Sequence, residues 1–338
     1  MTVLTMPTEP GHDSRPRPVP WRRMAWVTWR LHRTMLIGAL LMLSAAAAYL
    51  LVTGLDMHHG YAAVTACRPA SSDACLERSG AFFAAHWQTA DFTLELMSLL
   101  PALIGAFAGA PVLARELETG TFRYSWTQGL SRERSTIARL LLLAVAVTAA
   151  AAALGELFAW YFQPVFQLGQ RSPLDANVFG THGVAFAAWT LAAFALGAFL
   201  GMLIRRTVPA MAATLGAYLG LNVLARLVLR PHYLPAAVTS NSAVTGPSPW
   251  ILGYWWAGPG GKPADMSFVN QVIQRFTSNP PPNISMEQFL AQHGYTYWYR
   301  YIPVSRFWPM QFVEGGWLLA LSVLLITATV FLVRRRAA

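Results

Sequence analysis

The charged residues of this chain are few, and one group of them stands between two apolar stretches, in the segment ARELETGTFRYSWTQGLSR at 114–132. The segment opens with three charges in four residues and continues with a Gly-Thr pair and a mixed aromatic and basic run. Acidic and aromatic side chains on a short polar segment can seat in a groove of a partner protein. The residues of interest are Arg115, Glu116, Glu118, Gly120, Thr121, Phe122, Tyr124, Trp126, Ser131 and Arg132.

The sequence lacks the common motifs of nucleotide binding and of hydrolytic catalysis. No G-x-x-x-x-G-K-[ST] loop occurs, and the nearest match, GPGGKP at 258–263, has the wrong spacing. The H-E-x-x-H pair of zinc proteases and the G-x-S-x-G turn of serine hydrolases are also missing. We therefore predict no catalytic residues and no bound cofactor in this chain.

Four ionisable residues lie within or beside apolar stretches: Glu95, Glu156, Arg226 and Glu314. Burying a charge in a membrane costs about 3 kcal/mol even on the mildest scale. One interpretation is that all four side chains extend to the membrane interface. The other is that Glu156 and Arg226 form a charge pair facing a shared cavity.

Composition places these residues in a membrane protein. Hydrophobic residues make up 55% of the 338 residues and charged residues only 12%, against about 25% charged in globular proteins. Helices of roughly 20 apolar residues are long enough to cross about 30 Å of hydrocarbon. Six windows meet this length, the second despite Pro101 and Pro111: 34–54, 96–114, 140–161, 184–204, 208–229 and 313–333.

Small residues four positions apart recur in three of these windows. Such pairs let membrane helices approach closely, so they indicate a tight bundle or a dimer without distinguishing between the two. The pairs are Gly105 with Gly109, Gly197 with Gly201, and Gly216 with Gly220.

The distribution of arginine predicts the orientation in the membrane. Sixteen arginines fall on one side of the six windows and three in the two shorter loops on the other side. Because basic residues are retained in the cytoplasm, we predict a multi-pass plasma-membrane protein with cytoplasmic N- and C-termini. The net charge of +10 follows this pattern, so we predict a lipid bilayer and no nucleic acid as its partner. No cleavable signal peptide is apparent.

The first outer loop carries the two cysteines of the chain and a short cluster of possible metal ligands. Cys67 and Cys75 are predicted to form a disulfide, because thiols oxidise outside the cytoplasm; free thiols are the alternative. Asp56, His58 and His59 are too few and too close together to define a metal site. We predict a solvated loop there and no metal.

We accordingly predict an all-α polytopic fold with six spans and appended segments. Residues 1–20 form a disordered cytoplasmic tail, and 21–33 form an interfacial helix or extend the first span. A helical hairpin at 115–139 interrupts spans one to five, which occupy 34–229. Residues 230–312 form an extracellular domain, with helices near 264–277 and 285–293 and an aromatic interfacial belt or cap at 295–312. The sixth span and a basic tail complete 313–338.

The order of residues in 115–139 resembles type-2 ABC transporter permeases. In that family an acidic residue and a Gly-Thr follow the second span, and a Ser-Arg comes about ten residues later. Glu116, Glu118, Gly120 and Thr121 match the first part, and Ser131-Arg132 matches the second. Two departures are Gln128-Gly129, where the family often has a proline, and Arg139, where it usually has a lysine. The layout of spans resembles the family over most of the chain.

The resemblance implies a permease subunit without an ATP site of its own. It implies that two copies of a separate ATPase, which bind ATP and Mg, dock on the cytoplasmic hairpins of a permease dimer, most simply a homodimer. The expected activity is export of a hydrophobic or amphipathic substrate such as a drug, lipid or peptide. An alternative is an ABC-like sensor or immunity protein that binds an extracellular ligand without transporting it.

Overall fold

The structure is a computed structural model that describes residues 21–69, 72–120, 132–240, 248–258, 262–282 and 284–335. Long helices form a bundle, and a small sheet with two short helices stands at one end of it. The helices are α1 Trp21–Thr65, α2 Asp73–Ile104, α3 Pro111–Glu118, α4 Arg132–Gln167, α5 Gly183–Ile204, α6 Thr207–Leu224, α7 Met266–Ser278, α8 Met286–Gln292 and α9 Phe307–Arg335. The strands are β1 Ala237–Thr239, β2 Trp250–Ala257 and β3 Thr296–Ile302.

The predicted apolar windows all lie inside long helices. Among the described residues, five helical segments are long and apolar enough to cross a membrane, and the first window, 34–54, lies within α1. This agrees with a largely helical, polytopic membrane protein. The segments are Asp73–Glu118, Ile137–Gln167, Gly183–Ile204, Thr207–His232 and Val304–Arg335.

The predicted interfacial helix at 21–33 and the first predicted span belong to one helix. Helix α1 runs through both without a break, over 45 residues. The physical reason lies in the sequence, because WRRMAWVTWRLHR contains no proline or glycine that would end a helix. The alternative interpretation, in which this segment extends the first span, describes the backbone.

Helix α5 is the centre of the bundle, and glycines allow α2 and α3 to pack directly on its backbone. A five-residue π-turn, Gly105–Gly109, joins α2 to α3. A Cβ added at Gly105 would lie 2.6 Å from the carbonyl oxygen of Ala193, and one at Gly197 would lie 2.7 Å from the amide nitrogen of Ala110. The first two glycine pairs, Gly105 with Gly109 and Gly197 with Gly201, therefore allow close helix packing within one chain.

The prediction of an all-α fold is wrong for the segment at 230–312. Antiparallel pairing joins the described strands in the order β1–β3–β2. Strand β3 is the stretch TYWYRYI, which we had predicted to be an aromatic belt or cap. Aromatic residues are enriched in strands as well as at membrane interfaces, and the partner strand β2 is distant in sequence. The two predicted helices are present as α7 and α8.

The sheet lies at the same end of the bundle as the connection between α1 and α2, which a disulfide closes. Cys67 and Cys75 are bonded, with their Cα atoms 5.7 Å apart, and they join the end of α1 to the start of α2. His86 of α2 lies 3.1 Å from the carboxylate of Asp56 of α1. We call this end of the bundle the sheet end, and the end with residues 115–139 the arginine-rich end.

The close glycine packing yields a prediction about stability. Gly197→Leu should destabilise the protein by about 3 kcal/mol or more, because the new side chain meets the backbone of the π-turn and of α3, which cannot move aside as a side chain can. Thermal melting of the purified chain in detergent measures the effect.

The matched control is Gly316→Leu, because a Cβ at Gly316 meets nothing within 4 Å. Its melting temperature should stay close to that of the wild type. Equal melting of the two variants would contradict the packing described.

Candidate functional site

At the arginine-rich end, an ion pair closes the base of the segment at 115–139. The carboxylate of Glu116, at the end of α3, accepts a hydrogen bond from the guanidinium of Arg139 in the second turn of α4. Arg139 is buried, with 9% of its surface exposed. A partly buried charge-assisted contact is stronger than one in free solution, so the two flanks of the segment are held side by side.

Glu118 connects the same segment to a different helix. Its carboxylate accepts two hydrogen bonds from Thr207, one from the backbone N–H at 2.9 Å and one from the hydroxyl at 2.7 Å. Thr207 is the first residue of α6. The first N–H groups of a helix lack partners within it and favour a negative charge. Glu118 thus caps α6 from 89 residues away in sequence.

The remaining residues of the segment lie mostly beyond the described part of the chain. Gly120, the second residue after α3, adopts a left-handed conformation with φ of +68°, as helix-ending glycines do, and Arg115 is exposed. Arg132 begins α4. The predicted contributions of the others stay predictions: Thr121, Phe122, Tyr124, Trp126 and Ser131.

Towards the sheet end, a buried ion pair joins two helical segments of the bundle. Arg230 follows α6 and Glu314 lies in α9, and their side chains are 1% and 0% exposed. Two guanidinium nitrogens donate to the two carboxylate oxygens at 2.8 and 2.7 Å, a bidentate geometry. The interpretation in which all four charged side chains extend to the membrane interface does not hold for Glu314, because its carboxylate is buried and paired with Arg230.

Neighbouring groups complete the hydrogen bonds of this pair. The indole of Trp189 in α5 donates to Glu314 at 2.5 Å, and Arg230 donates to the carbonyl of Ala176 at 2.8 Å. Arg230 also lies over the ring of Phe179, 4.9 Å from its centroid. A buried charge is costly unless it is paired and hydrogen-bonded. Four parts of the chain therefore meet at one satisfied polar centre, which we call the buried lock.

Beside the buried lock, a polar cavity of about 300 Å³ opens between α2 and the end of α6. On one side Arg171 donates to Asp91 at 2.8 Å. On the other, Arg226 donates to Asn177 at 2.8 Å, while its buried Nε has no hydrogen-bond partner. The cavity is lined by Asp91, Leu94, Glu95, Ser98, Arg171, Asn177 and Arg226.

The structure does not bring Glu156 and Arg226 together. No ion pair joins them among the described residues, Glu156 is exposed on α4, and Arg226 reaches Asn177 instead. The residue that does pair with a carboxylate, Arg230, stands one helical turn after Arg226 and just beyond the predicted fifth window. In the sequence, its position at the edge of an apolar window is the one feature that points to a buried, paired charge.

The cluster of Asp56, His58 and His59 is divided between different neighbours. Asp56 contacts His86, and His58 lies 2.9 Å from the carbonyl oxygen of Trp160 and stacks on its ring. Within the described ranges, no three His, Cys, Asp or Glu side chains are grouped so that they could hold a metal ion.

A comparison with protein families gives one match. A family model described as ABC-2 membrane transporter related matches residues 40–230, the part of the chain that contains α2 to α6, both glycine pairs that pack internally and the segment at 115–139. No curated protein and no solved structure matches the chain significantly.

The buried lock yields a prediction about stability. Glu314→Leu should lower the free energy of unfolding by about 3–5 kcal/mol, because it leaves the buried Arg230 guanidinium without its counter-charge. Thermal or denaturant unfolding in detergent measures this loss.

The double variant Arg230→Met with Glu314→Leu is the matched control, because replacing both members of a buried pair by apolar residues is often nearly neutral. It should recover most of the lost stability. A double variant as unstable as Glu314→Leu would contradict an electrostatic origin.

Proposed function

The chain belongs to the ABC-2 membrane transporter related family, and we propose that it is the permease subunit of an ATP-driven exporter. Membership confirms the resemblance to type-2 ABC permeases that the order of residues in 115–139 indicated. The chain is thus a component of a membrane transporter, and members of this family are generally membrane subunits that work with a separate ATPase. In the proposal, that partner binds ATP and Mg, and the complex contains two copies of it.

The contact between Glu118 and Thr207 is the observation that carries the proposal. A docked ATPase has to convert movement at a surface segment into movement of helices in the membrane. Glu118 lies within that segment and holds the first turn of α6, and the Glu116–Arg139 pair holds the start of α4. Movement of the segment at 115–139 is therefore transmitted to three helices: α3, α4 and α6.

The proposed orientation places the arginine-rich end in the cytoplasm and the sheet end outside the cell. Arg205 and Arg206 lie at the same end as Arg139, in keeping with retention of basic residues in the cytoplasm. The disulfide between Cys67 and Cys75 lies at the opposite end, which suits an oxidising compartment. With α1 as the first span, the proposal has six spans and an extracellular domain at 230–312.

An unoccupied face of α6 supports the proposed homodimer. A Cβ at Gly216 or Gly220 would meet nothing within 4 Å, unlike the glycines that pack α3 on α5. Exposed apolar side chains flank these glycines, among them Leu219 and Val223. Small residues four apart on an exposed membrane helix fit close contact with a second helix, and we propose the α6 of an identical subunit.

The cavity between α2 and α6 supports an amphipathic cargo. Its charged groups lie beside exposed apolar residues of the same helices, including Leu96, Leu99 and Leu227. A molecule with a polar group and an apolar tail would satisfy both surfaces. A drug, a lipid or a peptide of this kind is the proposed cargo.

A second candidate function is a membrane sensor that uses the same fold. The folded unit of β1–β3 with α7 and α8 at the sheet end favours it, because this unit offers a ligand-binding surface separate from the bundle. Ligand-stimulated ATPase activity without transport in reconstituted vesicles would support the sensor and count against the exporter.

The first functional prediction concerns Glu118. Glu118→Ala should reduce transport and substrate-stimulated ATPase activity about tenfold or more, because α6 loses its connection to the docking segment. Thr207→Val removes only the hydroxyl donor and should give a smaller loss. Vesicles reconstituted with the co-purified ATPase provide both measurements.

The control is Glu77→Ala, an exposed glutamate of α2 near the sheet end, which should leave coupling unchanged. Membrane insertion of all three variants is checked by protease protection. Full coupling in a correctly inserted Glu118→Ala variant would refute the role assigned to this contact.

The second functional prediction concerns the dimer. Gly216→Leu should abolish self-association while leaving the fold of the single chain intact, because the new side chain projects from an open face. Cross-linking and native mass spectrometry in detergent measure the oligomeric state.

Gly316→Leu, on an open position of α9, is the matched control and should remain dimeric. A Gly216→Leu variant that dimerises as well as this control would rule out the proposed interface.

A further inference from the structure

One face of the sheet carries a row of aromatic rings. Because side chains alternate between the two faces of a strand, the register of β2 on β3 places Trp256 and Tyr297 on one face together with Tyr299. The rings of Trp256 and Tyr297 have centroids 4.5 Å apart, and those of Tyr297 and Tyr299 are 4.7 Å apart. Trp255 and Trp298 point to the opposite face.

Helix α8 lies beside this aromatic face and leaves a cavity of about 250 Å³ between them. The helix is fixed by a capping box between Ser285 and Gln288 and by Leu290, which is fully buried in a small core with Trp256. Glu287 and Ala291, four residues apart and so on one face of the helix, line the cavity opposite Tyr297. The cavity thus has an aromatic wall and a helical wall.

Glu287 is the one formally charged residue among those that line this cavity. None of the ion pairs between described residues includes it. Desolvation raises the pKa of Tyr299, and the nearby carboxylate of Glu287 raises it further; the pKa of Tyr297 is raised by desolvation and then by its tyrosine neighbours and Glu287. The carboxylate therefore exerts its negative potential on the aromatic wall.

We propose that this cavity binds an organic cation with an alkylated ammonium head group. Ring faces carry negative electrostatic potential and attract such cations, and quaternary ammonium groups are bound in cages of aromatic residues. Glu287 supplies the balancing charge. An anion would be repelled, and an uncharged apolar ligand would bury the carboxylate without a partner, which is costly.

The proposal goes beyond the transport function and does not depend on it, because the described residues that line the cavity all lie in the segment at 230–312, outside the bundle. The volume of about 250 Å³ is slightly below the usual range for drug-sized ligands and suits a head group. Two sources present this chemistry, a free cation and the head group of a choline lipid.

Choline is the test ligand, and its uncharged carbon isostere 3,3-dimethylbutan-1-ol is the control ligand. Isothermal titration of the full chain in maltoside detergent should show saturable binding of choline and none of the isostere. Glu287→Gln should weaken choline binding about tenfold, because it removes the charge and keeps the shape. Glu77→Gln, which removes an exposed charge from α2, should bind choline like the wild type.

The aromatic wall is tested separately by Tyr297→Leu, with Trp298→Leu on the opposite face as its control. Only the first should lose choline binding; circular dichroism checks that both fold. If Tyr297→Leu misfolds, Glu287→Gln decides alone, because its side chain is exposed and needed for no internal contact among those described.

Three results would overturn the proposal: no saturable choline binding by the wild type, equal binding of the isostere, or unchanged affinity in Glu287→Gln. The source of the cation is settled by repeating the titration in nanodiscs. Weaker choline binding in phosphatidylcholine than in phosphatidylglycerol nanodiscs identifies the lipid head group as the occupant, and equal binding identifies a free cation. Either outcome supports a cation site.

Discussion

The bidentate pair between Arg230 and Glu314 is the constraint on which the sheet end of the bundle depends. A guanidinium or a carboxylate that is removed from water is unfavourable unless it is paired. The fold therefore brings the end of α6, helix α9, Trp189 and Ala176 together around this ion pair. The strands are connected to these segments by short stretches of chain: β1 starts a few residues after Arg230, and β3 ends shortly before α9. The position of the small sheet over the bundle follows from this polar contact together with an apolar core, in which Ile302 of β3 packs with Met310 and Leu318 of α9.

The two ends of the bundle are organised by different kinds of contact. The buried lock is fully desolvated and resists change. At the arginine-rich end, Glu118 is exposed and holds α6 through two hydrogen bonds to one residue. Exposed contacts of this kind are weak and reversible, unlike the partly buried Glu116–Arg139 pair at the same end and the close glycine packing between the two ends. A protein that has to move at one end and keep its shape at the other would show this distribution of strength.

The features that depend on local sequence were predictable. The spans follow from the length of apolar windows, and α7 and α8 follow from their own signals, the cap by Asp265 and the capping box at Ser285. The features that depend on distant partners were not. From its own residues strand β3 is indistinguishable from an interfacial belt, and only its pairing with β2 identifies it as a strand. Glu314 likewise resembles an interfacial charge, because its partner Arg230 is 84 residues away in sequence. Glu118 was singled out from sequence order, but its partner Thr207 carries no signal of its own.

The length of α1 has a mechanical consequence. At about 1.5 Å per residue, its 45 residues extend about 68 Å, more than twice the roughly 30 Å thickness of the hydrocarbon. In the proposed arrangement with α1 as the first span, more than half of the helix therefore lies outside the hydrocarbon. The disulfide ties the C-terminal end of this helix to the start of α2, so these two helix ends stay together whenever α1 tilts.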